Sequence, residues 1–135
     1  MEVQQSYRLT SMSTILRVDI EPDRRAPAAA REALASLEGK VDAALIPDAK
    51  LLASELVTNS VKYGGSGPVT VAATSDDPSR LRVEVIDQGV GFVPVARDKP
   101  KTDVGGWGLH LVESLSDRWG VHDGSTHVWF EIGAA

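Results

Sequence analysis

Three short stretches of this sequence carry groups that could do chemistry. In the first, Glu55, Asn59 and Lys62 follow one another at intervals of four and three residues, the spacing that puts side chains on one face of an α-helix. Asn59 offers a neutral carbonyl oxygen, a hard ligand of the kind Mg²⁺ accepts. Glu55 could take a proton from water or a hydroxyl, and Lys62 could lie near phosphate oxygens. In the second, the apolar run Val83-Glu-Val-Ile ends in Asp87-Gln-Gly89-Val-Gly91. A carboxylate placed there can accept a hydrogen bond from an exocyclic amine such as that of adenine. Gly89 and Gly91 permit a close backbone approach that a Cβ would block. In the third, Gly105-Gly106-Trp107-Gly108-Leu109 feeds an apolar run. Glycines at a helix start leave backbone N–H groups and the positive end of the helix dipole open to phosphate.

Each stretch has a plainer reading. The Glu-Asn-Lys stripe could be a solvated helix face, the Asp-x-Gly-x-Gly a strand ending in a tight turn, and the glycine cluster a loop hinge. The third stretch is not a Walker loop, because no Lys-Ser/Thr pair follows the glycines. Nor is it a dinucleotide fingerprint, because no strand leads straight into it. Together and in this order, the three outline a site for a nucleoside triphosphate and its metal ion.

The elements that must position these residues are readable from periodicity and punctuation. Tyr7-Arg-Leu and Ile15–Ile20 are expected strands, and Glu21-Pro-Asp-Arg-Arg a turn. Pro27 opens an Ala-rich helix to Leu37, stopped near Gly39. A second helix is expected from Pro47 to Tyr63, with Asp48 complementing its dipole and Gly64-Gly65 ending it. Leu52, Leu56 and Tyr63 mark its apolar stripe. Val69–Thr74 and Leu81–Asp87 read as strands around a Ser-Asp-Asp-Pro-Ser turn, the second alternating Leu81, Val83, Val85 against Arg80, Arg82, Glu84. Val90–Asp103 contains Pro94, Pro100 and several charges, which predicts an exposed loop. Gly108–Ser116 is an expected helix, and Trp119–His122 with His127–Ile132 a terminal hairpin. The pattern predicts an α+β fold: a two-layer α/β sandwich whose helices lie on one face of a mixed, mostly antiparallel sheet.

Composition narrows the function classes. The 135 residues suit one domain, and 42% apolar content supplies a core. A net charge of −5 without a Lys/Arg run argues against a nucleic-acid partner. The absence of cysteine removes disulfides and Cys-based zinc sites. No apolar run is long enough to span a bilayer and no signal peptide is evident, so a cytoplasmic protein is expected. His110, His122 and His127 sit on different elements without ligand spacing. Trp119 and Trp129 read as packing residues.

The three stretches also carry a resemblance. Glu55-Leu-Val-Thr-Asn59-Ser-Val-Lys-Tyr-Gly64 resembles the N box of the GHKL superfamily, the Bergerat-fold ATP-binding domains. Asp87-Gln-Gly89-Val-Gly91-Phe92 resembles its first glycine box, and Gly106-Trp107-Gly108-Leu109 its second. The Glu-Leu-Val-Thr-Asn phrasing and Leu115-Ser-Asp-Arg-Trp-Gly-Val are most similar to the anti-sigma-factor serine/threonine kinases and their actinobacterial relatives. The resemblance implies ATP and Mg²⁺ as ligands, with Asn59 on the metal, Asp87 on the adenine amino group, and Gly89 and Gly91 shaping the adenine pocket. Gly105, Gly106, Gly108 and Leu109 would line the phosphate side under a lid spanning Val90–Gly105. Glu55 would be the general base toward a seryl or threonyl hydroxyl on a small STAS-like antagonist protein. A sigma factor would be a second partner, and a homodimer is compatible.

Two departures stand out: Trp107 between the glycines, and a short lid whose bases are only Arg97, Lys99 and Lys101. Both bear more on catalysis than on ATP binding, and a non-catalytic ATP-binding or partner-sequestering module is the alternative. No histidine precedes Glu55, so the phosphoacceptor hairpin of a sensor histidine kinase is not expected in this chain.

Overall fold

Alternating apolar residues build one five-stranded sheet. The computed structural model describes residues 13–63, 67–87, 111–122 and 127–133. Its strands are β1 (Ser13–Ile20), β2 (Val69–Asp77), β3 (Arg80–Ile86), β4 (Arg118–His122) and β5 (His127–Gly133). They lie in the order β1-β2-β3-β5-β4, and each pairing is antiparallel. On one face, Val71, Val85 and Val128 form one cross-strand row, and Ala73, Val83 and Phe130 the next. All six are buried. Helices α1 (Ala26–Ala35) and α2 (Ile46–Tyr63) cover that face. Leu34 of α1 and Leu52 and Val57 of α2 are fully enclosed. Residues 111–115 are helical and send Val112 into the same core. The architecture is the two-layer α+β sandwich that the pattern predicts.

Local chemistry explains the element ends. Pro27 lies in the first turn of α1, where its missing N–H costs nothing. The chain reverses after α1 through Gly39 at φ 90°, a conformation that favours glycine. Asp48 in the first turn of α2 and Lys62 in its last complement the helix dipole at both ends. A short 3₁₀ turn, Ala43–Leu45, precedes α2.

β1 starts at Ser13 and α1 ends at Ala35, each two residues earlier than expected, and the end of β2 departs further. β2 runs on to Asp77, leaving only Pro78 and Ser79 as the turn. Side chains carry the ladder to its tip. The Ser75 hydroxyl lies 2.8 and 2.9 Å from the carbonyls of Asp77 and Arg80, and Arg80 pairs with Asp76 at 2.8 Å. The Ser79 N–H and hydroxyl both donate to Asp77. Tyr7-Arg-Leu, the 90–103 loop and the start of the 108–116 helix lie outside the described residues.

The topology fixes which residues share an end of the molecule. The Asp42 N–H donates to the Pro78 carbonyl at 2.8 Å, pinning the chain just before α2 to the β2–β3 turn. α2 then runs toward the opposite end, where β2 begins and β3 finishes, with Thr70 opposite Ile86. The last turns of α2 and the residue after β3 therefore lie at the same end.

The other face of the sheet carries a connected polar network. The Arg82 guanidinium reaches Glu84 at 3.0 Å and Glu131 at 2.8 Å and stacks 4.1 Å from the centroid of the Trp129 ring. Arg118 holds the second oxygen of Glu131 at 2.9 Å, and His127 the second oxygen of Glu84 at 3.0 Å. Trp129 lies against Gly120, where a Cβ would come within 2.8 Å of the ring. Burial alone would raise the pKa of Glu84, but hydrogen bonds from Arg82 and His127 outweigh it and hold the carboxyl below its ordinary 4.5. Burial likewise opposes, and Arg82 and Arg118 outweigh, at Glu131.

A lowered folded-state pKa means that the unfolded chain takes up protons first as pH falls. The stabilisation is complete above the ordinary pKa of 4.5 and disappears as pH drops through the lower folded values. Urea melts should show stability falling as pH drops below about 4.5, with a shallower acid limb in Arg82→Ala and a loss of about 1–2 kcal/mol at neutral pH. Parallel limbs in the two proteins would separate the network from the acid sensitivity.

Candidate functional site

The chemistry-bearing helix is amphipathic in a particular way. Leu52, Ala53, Leu56 and Val57 are buried against the sheet and α1, which fixes the rotation of α2. Two of its hydroxyls bond back along the helix: Ser54 donates to the Leu51 carbonyl at 3.0 Å and Thr58 to the Ser54 carbonyl at 2.8 Å, back-bonds typical of these residues within helices. On the chemistry-bearing stripe Glu55 and Lys62 reach the surface, while Asn59 between them is buried. Glu55 is half-buried and Lys62 exposed on the last turn. Among the described residues, neither has a hydrogen-bond or ion-pair partner.

Asn59 is the most informative position. It is only 2% exposed, and its Nδ2 is buried with no hydrogen-bond partner. Leaving a buried amide donor unsatisfied costs roughly 1–3 kcal/mol, a cost expected where a ligand completes the site. Rotating the amide by half a turn exchanges Nδ2 for Oδ1 at the same point. The side chain can therefore offer an oxygen to a cation or a donor to a phosphate. Thr74 Oγ1 is the other unpartnered buried atom among the described residues, and it lies within β2, on a different element.

Asp87 follows the last residue of β3 and is 8% exposed. Because α2 packs on β2 and β3 and ends beside the end of β3, Asn59, Lys62 and Asp87 occupy one end of the helix–sheet layer, with Glu55 one turn back. Gly89, Gly91, Gly105, Gly106, Trp107, Gly108 and Leu109 lie outside the described residues. No group of three or more His, Cys, Asp or Glu among the described residues could hold a metal. A cation at Asn59 would draw its remaining oxygens from phosphates and water, as Mg²⁺ commonly does. A separate cleft of ≈ 740 Å³ opens along α1, lined by Arg25, Glu32 and Lys50 among others, and contains none of these residues.

A model of the histidine kinase-like ATPase domain family matches residues 20–132. The chain belongs to this family. The match takes in Glu55, Asn59, Lys62 and Asp87 and all three glycine-bearing stretches. Among relatives, an anti-sigma F factor of Clostridium acetobutylicum is 33% identical over 100 residues, covering 65% of this chain and 69% of that protein. A serine-protein kinase RsbW of Listeria monocytogenes is 33% identical over 86 residues, and the aligned span is 53% of this chain and 55% of the kinase. The histidine kinase AdeS of Acinetobacter baumannii superposes over 87% of this chain and 66% of its own at a TM-score of 0.49 and 15% identity. No helix among the described residues is long and apolar enough to cross a membrane.

The back-bonded hydroxyls of Ser54 and Thr58 were not singled out in the sequence. Their signal was the presence of Ser and Thr within a helix, where a hydroxyl reaches the carbonyl three or four residues back. Asn59→Ala should abolish Mg²⁺-dependent nucleotide binding in calorimetry. It should leave thermal stability of the ligand-free protein within about 1 kcal/mol, because the substitution removes an unpartnered amide. Unchanged affinity would take Asn59 off the metal.

Proposed function

We propose that this chain binds Mg-ATP and acts as a serine/threonine protein kinase of the anti-sigma-factor type. In this reading it phosphorylates a small STAS-like antagonist and exchanges it for a sigma factor. The observation that carries the reading is the buried, unpartnered amide of Asn59 on the same stripe as half-buried Glu55, at the end of the layer where Asp87 follows β3. Membership of the ATPase domain family supports the nucleotide. The names of the Clostridium and Listeria relatives support the regulatory setting.

The residues fit the ligands. Asp87 would accept the hydrogen bond of the adenine amino group, and Asn59 would hold Mg²⁺ through its amide oxygen. The metal would neutralise charge on the β- and γ-phosphates. Glu55 would orient the partner's seryl or threonyl hydroxyl and accept its proton. The hydroxyl oxygen forms a bond to the γ-phosphorus, the bond from that phosphorus to the bridging oxygen breaks, and ADP departs with the electron pair. Such a transfer depends on positioning and charge neutralisation more than on covalent help from the protein. A new phosphate at the interface adds nearly two negative charges and weakens the antagonist's contact, which provides the switch. Lys62, exposed on the last turn of α2, would meet phosphate oxygens from the solvent side.

Incubation with γ-labelled ATP and STAS-like proteins of the source organism tests this directly, with label on an antagonist hydroxyl the expected result. Glu55→Ala should keep ATP affinity while slowing phosphotransfer by about 10²-fold or more. Full transfer in that variant would remove Glu55 as the base. ATP binding without transfer to any antagonist would leave a non-catalytic module.

A further inference from the structure

α2 is enclosed on almost every side. From Leu52 to Ser60 only Glu55 and Thr58 escape burial, and on either side of that span Leu51 and Lys62 are exposed. Leu51, Glu55, Thr58 and Lys62 follow one another at intervals of four, three and four residues, so they line one narrow strip of the helix. A group that reaches Glu55 from outside comes over this strip.

The strip is uneven in character. Leu51 is 39% exposed, and it and Leu115 are the large apolar side chains exposed among the described residues. A solitary surface leucine is ordinary; this one lies a single turn, about 6 Å along the axis, from Glu55. On the other side of Glu55, the Thr58 hydroxyl is turned back to the Ser54 carbonyl at 2.8 Å. Between Leu51 and Lys62, Glu55 is therefore the one ionisable group of the strip, with an open apolar side chain before it and an occupied hydroxyl after it.

The proposed nucleotide position gives the strip a direction. Asn59, Lys62 and Asp87 occupy one end of the layer, and Glu55 stands one turn back from it. A phosphoryl group passes between two oxygens that lie roughly in line. With ADP leaving toward the Asp87 end, the acceptor hydroxyl enters from the opposite side, and the chain that carries it runs over Leu51.

We infer that Leu51 is a specificity-determining contact for the protein that is phosphorylated: the antagonist carries an apolar side chain, about 6 Å from its acceptor hydroxyl, that packs on Leu51. The inference rests on the proposed function and narrows its substrate. An apolar side chain at that place removes two exposed apolar surfaces from water together. A polar or charged one would give up its hydration against a surface that offers no hydrogen bond in return. Leu51 stands about 12 Å along α2 from Asn59, so the contact acts on the acceptor protein and not on the nucleotide.

The test uses the full chain, Mg-ATP and the antagonist that the wild type labels. Leu51→Gln nearly keeps the side-chain length and helix propensity while removing the apolar contact. It should raise the KM for the antagonist by roughly five- to tenfold. ATP affinity, melting temperature and kcat should stay unchanged, because a contact made equally in the ground and transition states acts on KM alone. Leu51→Met should keep the wild-type KM. Replacing the antagonist's apolar neighbour of the acceptor with Gln should raise KM for the wild type and add little in Leu51→Gln. An unchanged KM in Leu51→Gln would overturn the assignment and leave the kinase reading standing. A fall in kcat at constant KM would also overturn it, by making Leu51 act through Glu55. A wild-type chain that labels no antagonist would instead overturn the reading on which the inference rests.

Discussion

The seam between α2 and the sheet is the constraint on which the candidate site depends. Leu52, Leu56 and Val57 are each 2% exposed or less, and they share one cluster with Val71, Val83 and Val85. Turning α2 by one residue would swing its side chains by about 100° and bring the leucines toward water, at about 1.5–3 kcal/mol for each fully buried side chain. No polar contact of Glu55 or Lys62 among the described residues could offset that. The directions of Glu55, Asn59 and Lys62 are therefore inherited from apolar packing on the far side of the same helix. The inheritance has a cost at Asn59, whose amide is carried into the boundary of the core without a partner.

The molecule has two kinds of polar surface. On the open face of the sheet, charges satisfy one another. Arg82 bridges two carboxylates and covers an indole, and each carboxylate has a second partner on its other oxygen, Arg118 for Glu131 and His127 for Glu84. On the helical side, the charges around α1 and the exposed edge of α2 have no ion-pair partners among the described residues. Side chains without an ion-pair partner can be recruited by another molecule at a small cost in broken contacts.

Much of the fold was legible because its signals are local. Leu81, Val83 and Val85 alternate with charged residues, and β3 buries those three. Pro47 and Asp48 mark the start of α2, and its residues at helical spacing predict a shared face. The end of β2 was not legible. Ser75, Asp76 and Asp77 are turn-forming residues in isolation; the pairing of Ser75 with Ser13 of β1, and hydrogen bonds and an ion pair to Ser79 and Arg80, hold them in the ladder. The Trp129–Gly120 contact was hidden for a related reason: it joins neighbouring strands whose register cannot be read from either alone. Which alanines of α1 stay uncovered was not legible either, because an Ala-rich helix shows small residues on every face and only what packs beside them decides.

By itself the sequence determined the kinds of chemistry available and the order of the elements that carry them. Those follow from side-chain type, helical and strand periodicity, and glycine and proline punctuation, all of which act within a few residues. Tertiary structure decided which of the candidate groups lie at one end of the layer, that Asn59 is buried without a partner, and that α1 keeps a face open. These are outcomes of long-range pairing and helix-on-sheet burial: antiparallel β2 and β3 bring Thr70 beside Ile86, and the apolar seam of α2 leaves its polar stripe only one direction to face.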